Sequence, residues 1–477
     1  MQSVPMSSIA PHTPSPIPWR EVFVIAGPTV ATMTSYTIMT FVDKYLVSLL
    51  GPEPIYVGAQ GNGGLVAWVA ISIIQGTLVI INTYVSQHLG AGTPRQGPPY
   101  VWNGLWLALA YWAAILLPLS FLIPSILHLA RIDPEQARLG GAYGQILLWG
   151  APLTLATRVF SQFFFGMHRA GVVMVAGVVA NVLNVVASYA LMFGKFGLPA
   201  LGMVGSALGT VLATAVELAI PAAVFLGDKF HKTYGTRFGW RPSWPHMRDI
   251  IRLGWPGGAM FGNEMICWSI FMVYLVSHFG RAHATAGWIA HQYMSLSFMP
   301  AVGLSVACTA LVGKYQGMGR SDLAAQRAWM CIRAALAYMG LCGFVFVVFR
   351  HALVRLFVPA DAEPIEAAHV LELGAQFLIA TAAFQLFDAG AMTLSGALRG
   401  AGDTVVPGVL TVVAAWVVIV GGGFAAISFA PGLQSLGPWI AAAAYIFTLC
   451  IVLFLRFMHG RWKSIRVITP HPATPTV

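Results

Sequence analysis

Three carboxylates stand inside long apolar stretches of the chain: Asp43 in FVDKYLVSLLG (Phe41 to Gly51), Glu264 in MFGNEM (Met260 to Met265) and Asp388 in FDAGAMTLSGALRGAGDT (Phe387 to Thr404). A charge in a lipid-like layer is costly, so an ionisable group there faces a wet cavity or a partner and marks an ion or substrate path. Glu264 and Asp388 can supply oxygen ligands to a hard cation such as Na+, or can form a pair that shares a proton. Both chemistries stay open, as does a structural, protonated Glu264. Asp43 is followed by Lys44, and successive helical residues do not face each other. Either Asp43 faces inward while Lys44 snorkels outward, or the two belong to an interfacial ion pair.

The elements that must carry these groups follow from composition. Of 477 residues, 57% are hydrophobic and 9% charged, against roughly 25% charged in a soluble domain, which excludes an ordinary water-soluble globule. Apolar runs long enough to cross a bilayer recur throughout, giving about twelve spans near 22–49, 60–88, 100–129, 139–165, 171–194, 202–226, 249–278, 285–313, 325–352, 366–396, 404–428 and 435–458. The net charge of +10 does not mark a nucleic-acid binder, because the basic residues sit in short loops and not on one face or arm. Roughly 17 loop Lys and Arg fall on the side of the N-terminus and 6 on the other, which predicts that both termini are cytoplasmic. The Pro/Ser-rich stretch 1–18 lacks the order of a cleaved signal peptide and is expected to be a flexible cytoplasmic tail, as is 460–477. The five cysteines, Cys267, Cys308, Cys331, Cys342 and Cys450, form no CxxC pair and read as packing residues. No HExxH or P-loop sequence occurs, so neither a zinc hydrolase nor an ATPase is indicated, and the chain is not read as an enzyme.

The second half of the chain repeats the first. WREVFVIAGP (Trp19 to Pro28) is answered by MRDIIRLGWP (Met247 to Pro256), VSQHLGAG (Val85 to Gly92) by VGKYQGMG (Val312 to Gly319), and GMHRAG (Gly166 to Gly171) by GALRGA (Gly396 to Ala401), all at an offset of about 227–230 residues. The fold class expected is therefore an all-α polytopic membrane protein, with twelve transmembrane helices in two pseudo-symmetric six-helix bundles around a central cavity. The first lobe spans 19–227, a basic cytoplasmic linker 228–247, and the second lobe 248–459. Arg158 occupies the repeat position of Asp388 and needs a carboxylate, either Asp43 or Glu217. Asn263, Trp268, Tyr274, His291, Gln292 and Tyr293 are candidates to line the cavity, where aromatic faces suit organic cations. Packing or interfacial anchoring is the alternative for each aromatic.

Over essentially the whole chain these features resemble the multidrug and toxic compound extrusion (MATE) family, in its NorM-type branch. The resemblance is carried by FVDKYLVSLLG, VSQHLGAG, NVVASYALMFGKFGLPALGMVGSALGT (Asn184 to Thr210), MFGNEM, LVGKYQGMG and FDAGAMTLSGALRGAGDT. It implies export of amphiphilic, often cationic organic compounds by alternating access of two lobes, coupled to Na+ or H+ and without a cofactor. It further implies ion-coupling roles for Asp43, Glu264 and Asp388, with Na+ at Glu264 and Asp388 as one form of that coupling. The expected setting is a monomer in the plasma (inner) membrane, with small organic substrates and no obligatory protein partner. A flippase for lipid-linked oligosaccharide, which shares the two-lobed fold, is the alternative. Ser188 stands where relatives often carry an aspartate, and Lys44 departs from the family pattern. Asn181, Asn184 and Ser188 remain polar partners for Asp43.

Overall fold

The computed structural model describes residues 18–51, 55–357 and 364–468. The expected tails lie outside the described residues, apart from Pro18 and 460–468. The membrane helices are α1 (Pro18–Ser48), α2 (Ile55–Gly90), α3 (Pro94–Leu129), α4 (Pro134–Trp149 and Ala151–Gly166), α5 (Ala170–Phe193), α6 (Met203–Leu226), α7 (Trp244–Phe279), α8 (Arg281–Gly317), α9 (Ser321–Val348), α10 (Pro364–Ala401), α11 (Val405–Phe429) and α12 (Leu436–His459). Eleven are long and apolar enough to cross a bilayer as single helices. The exception is α4, expected as one span over 139–165. It is two helices of 16 residues each, broken at Gly150. Pro152 accounts for the break: without an N–H it removes a hydrogen bond from a continuous helix but suits a first turn, where it sits in the second piece. The first piece begins earlier than its hydropathy suggests because Asp133 caps it, accepting from the N–H groups of Glu135 and Gln136 at 3.0 and 3.1 Å.

Proline interrupts the hydrogen-bond ladder of α1 and α7 at matched places. Pro28 and Pro256, partners in the repeat, both sit inside their helices and each removes a backbone hydrogen bond. In α7 a π-helical turn follows at Phe271–Val276, and α11 carries another at Ala415–Gly421. The basic linker folds as a short helix, Asp228–Tyr234, and is pinned to α3. The indole N–H groups of Trp102 and Trp106 donate to the carbonyls of Thr236 and Trp240, each at 2.8 Å.

Each half packs its own aromatic core, with Phe163, Phe164 and Phe225 in the first and Phe377 and Trp439 in the second. The first turns of α1 and α7 cross between these cores, and Val306 of α8 also lies in the core of the first half. Val22, Ile25 and Ala26 of α1 are buried in the core built by α8, α9 and α10. Reciprocally, Ile250 at the start of α7 lies in the core of the first half, with Leu253 packed against it. Each half thus lends the beginning of its first helix to the core of the other.

These crossings carry polar clasps. The Glu21 carboxylate of α1 accepts from Lys314 Nζ at 2.9 Å, from Arg327 Nε at 2.8 Å and from the Tyr315 hydroxyl at 2.7 Å, all on α8 and α9. In α7 the repeat counterpart, Asp249, accepts from the Tyr100 hydroxyl at 3.3 Å, and its carbonyl accepts from the Tyr84 hydroxyl at 3.1 Å. Backbone contact between the halves is equally close. A Cβ on Gly90 would stand 1.8 Å from the Lys314 carbonyl oxygen, and one on Gly317 would stand 2.1 Å from that of Gln87.

Overpacking such a contact costs about 1–3 kcal/mol. Gly317→Ala is therefore expected to lower the thermal midpoint of the detergent-purified chain. Gly61→Ala, in a helix with nothing within 4 Å of the added Cβ, should leave the midpoint unchanged or raise it. Thermal unfolding followed by tryptophan fluorescence reads both.

Candidate functional site

The second half brings Glu264 of α7 and Asp388 of α10 within electrostatic reach of each other. The small residues beside Asp388 account for the approach of α12, since a Cβ on Gly390 would meet the Cys450 sulfur at 2.8 Å. Tyr445 of α12, 3% exposed, lies near both acids, and Cys267 lies near Glu264. One turn on from Glu264, the Trp268 indole faces its carboxylate. Asn263 is held by Trp416 of α11, whose indole N–H donates to its Oδ1 at 2.6 Å. Both acids are half-buried. No Lys, Arg or His among the described residues lies within ion-pair distance of either. Two acids without a counter-ion, with part of their surface accessible, are chemically suited to holding a cation or sharing a proton.

In the first half, Asp43 turns into the bundle and is 7% exposed. Thr210 of α6 stands 3.5 Å from its Oδ2, and Asn184 of α5 donates to the Thr210 hydroxyl at 3.3 Å. Asp43 Oδ1, Asn184 Oδ1, Ser188 Oγ and Ser206 Oγ are buried without a hydrogen-bond partner in the protein. Tyr143 of α4 lies beside Asp43, Gln60 and Ser206. Asn181 is half-buried, with both amide atoms unpaired. Ser188 is wedged against α6, where a Cβ on Gly209 would come 2.4 Å from its hydroxyl. Lys44 points the other way. It is exposed, and near enough to His291 on α8 to act on it electrostatically.

Of the two carboxylates offered to Arg158, the structure brings Glu217 near it. Glu217 accepts a short hydrogen bond from the Tyr36 hydroxyl of α1. Arg158 acts on both groups but makes no ion pair shorter than 4 Å among the described residues. The remaining candidates scatter. Trp268 and Trp288 each meet His291 edge-on, at centroid distances of 6.1 and 5.6 Å. Gln292 is exposed, and Tyr274, in the π-helical turn, is 67% exposed. Tyr293 packs within its own half, donating its hydroxyl to the Leu353 carbonyl at 2.9 Å and meeting Phe346 and Phe357 edge-on.

Sequence reasoning missed Tyr36, Thr210 and Tyr445. Thr210 closes the quoted stretch Asn184 to Thr210 and sits four residues after Ser206, so its helical face was available as a signal. Tyr445 is a single hydroxyl in LGPWIAAAAYIFTLC, which offers no signal at all.

Comparison with known proteins agrees with this architecture. The model of the MatE family matches residues 28–190 and 263–423. A probable multidrug resistance protein NorM of Mesorhizobium japonicum is 29% identical over 449 residues, covering 92% of this chain and 93% of that protein. One from Rhizobium meliloti is 30% identical over 397 residues, covering 82% of each. Among solved structures, the outward-facing conformation of a multidrug resistance MATE family transporter of the MOP superfamily superposes with a TM-score of 0.84 at 21% identity, over 94% of this chain and 97% of that one. A MOP superfamily transporter from Pyrococcus furiosus gives 0.83 at 20% identity, over the same shares. With the matched residues drawn from both halves, the chain belongs to the MatE family of membrane transporters.

Proposed function

We propose that the protein is a cation-coupled antiporter that exports amphiphilic, often cationic organic compounds by alternating access of its two halves. The observation that carries this reading is the pair Glu264 and Asp388, partly accessible and without a counter-ion. Na+ or H+ bound there offsets part of the negative charge of the pair, and a cationic substrate competes for the same negative field. Trp268, with His291 across from it, offers an aromatic surface beside that field. Asp43 is a second, enclosed station in the first half. Because Arg158 is near Tyr36 and Glu217 instead, no Lys or Arg among the described residues is ion-paired with Asp43, which leaves it open to an incoming ion in this reading. In this reading both termini are cytoplasmic and the protein sits in the plasma (inner) membrane. A flippase for lipid-linked sugars is disfavoured, since it needs basic residues gathered at mid-depth and Arg158 is engaged elsewhere.

Dye efflux measured in everted membrane vesicles, under an imposed Na+ gradient and separately under a proton gradient, tests the reading. One gradient is expected to drive transport, and Glu264→Gln and Asp388→Asn are expected to abolish it. Normal transport in both variants, with loss only in Asp43→Asn, would move coupling to the first half. Carbodiimide labelling followed by peptide mapping makes a second prediction. Glu264 or Asp388 should be modified while the enclosed Asp43 is spared, and adding Na+ or lowering the pH should change the labelling of the first two.

A further inference from the structure

At the end of the bundle that holds the Glu21 clasp, a cavity of about 560 Å³ opens between the halves. Arg20, Glu21 and Val24 of α1, Arg169 after α4, Tyr234 of the linker helix and Lys314 of α8 line it. Its charge does not balance. Glu21 is already shared by Lys314 and Arg327. Arg20 and Arg169 are exposed, with no carboxylate within ion-pair distance among the described residues. Arg169 is held in place by its guanidinium lying 5.2 Å from the Phe230 ring centroid. The residues that precede Arg20 contain no Asp or Glu, so that stretch supplies no compensating side chain. Part of the wall is apolar, formed by Val24, Ile25, Leu89 and Met167, and Val24 is 60% exposed.

We propose that this cavity binds the phosphate group of an anionic ligand, held by Arg20 and Arg169 of the first half and Lys314 of the second. Two sources share that chemistry, an anionic phospholipid headgroup and a soluble phosphate. The apolar part of the wall matches the acyl chains of a lipid, and basic pockets between membrane helices are suited to such headgroups. A ligand that touches both halves favours the arrangement in which this end is closed. The site is separate from Glu264 and Asp388, so it stands or falls independently of the ion coupling proposed above.

The test is binding to the purified full-length chain in detergent, with no transport step. Native mass spectrometry compares retention of phosphatidylglycerol and phosphatidylcholine, and a second arm follows the thermal midpoint during titration with inorganic phosphate. Preferential retention of phosphatidylglycerol, reduced about fivefold by Arg20→Gln and again by Arg169→Gln, is the expected result. Both residues are exposed, and an unchanged midpoint without ligand confirms that the variants fold. Phosphate raising the midpoint of the parent chain but not of the variants, with no preference between the lipids, supports the site and assigns it to a soluble phosphate. Parent and variants behaving alike in both arms overturns the proposal.

Discussion

The contact on which the rest of the structure depends is the Glu21 carboxylate gripped by Lys314, Arg327 and Tyr315. One acid and two cations are nearly sealed from solvent, with Arg327 1% exposed in its side chain. Removing one partner of a buried ion pair costs about 3–5 kcal/mol, because the charge left behind has no water to turn to. The cluster stands where α1 enters the core of the opposite half, so the two halves cannot part at this end without opening it. Across the pseudo-twofold axis, α7 makes the equivalent crossing with Asp249 against tyrosines. The Glu21 crossing is ionic, and at the Asp249 crossing the phenolic hydroxyls of Tyr84 and Tyr100 contribute.

Each crossing helix then continues into the membrane past a proline to a carboxylate. Along α1 the order is Glu21, Pro28, Asp43, and along α7 it is Asp249, Pro256, Glu264. A single helix therefore carries both the group that ties the halves together and a carboxylate within the membrane-spanning part. The two membrane carboxylates differ in setting. Asp43 is enclosed by neutral oxygens from α5 and α6, whereas Glu264 shares an accessible region with Asp388 of α10 and Tyr445 of α12. Glycines such as Gly90 and Gly317, where backbone meets backbone, leave no room for the halves to settle by small side-chain adjustments. Such interfaces favour discrete arrangements over gradual deformation.

Much of this was legible in the sequence. Apolar length located the spans other than the broken α4, and the repeat aligned Glu21 with Asp249 and Pro28 with Pro256. Charge in an apolar run picked out Asp43, Glu264 and Asp388. The repeat could not say that the first turns of α1 and α7 are exchanged between the cores, because Val22 and Ile250 are ordinary apolar residues in either arrangement. Nor could it choose a partner for Arg158, since Asp43 and Glu217 lie on different helices and the sequence does not set their depth relative to Arg158. The break in α4 was hidden because hydropathy runs on through Gly150 and Pro152. Tyr36 and Tyr445 were hidden because a buried hydroxyl looks like packing until its neighbours are known.

The central claim is that the Glu21 clasp holds the two halves together at one end. The most direct measurement places spin labels at Arg95 of the first half and Arg320 of the second, both exposed, in a chain freed of its five cysteines, and records the distance between them. The account predicts a single short distance with Glu21 intact, and a second, longer population in Glu21→Gln. An unchanged distribution in Glu21→Gln, with the variant still folded, would contradict it.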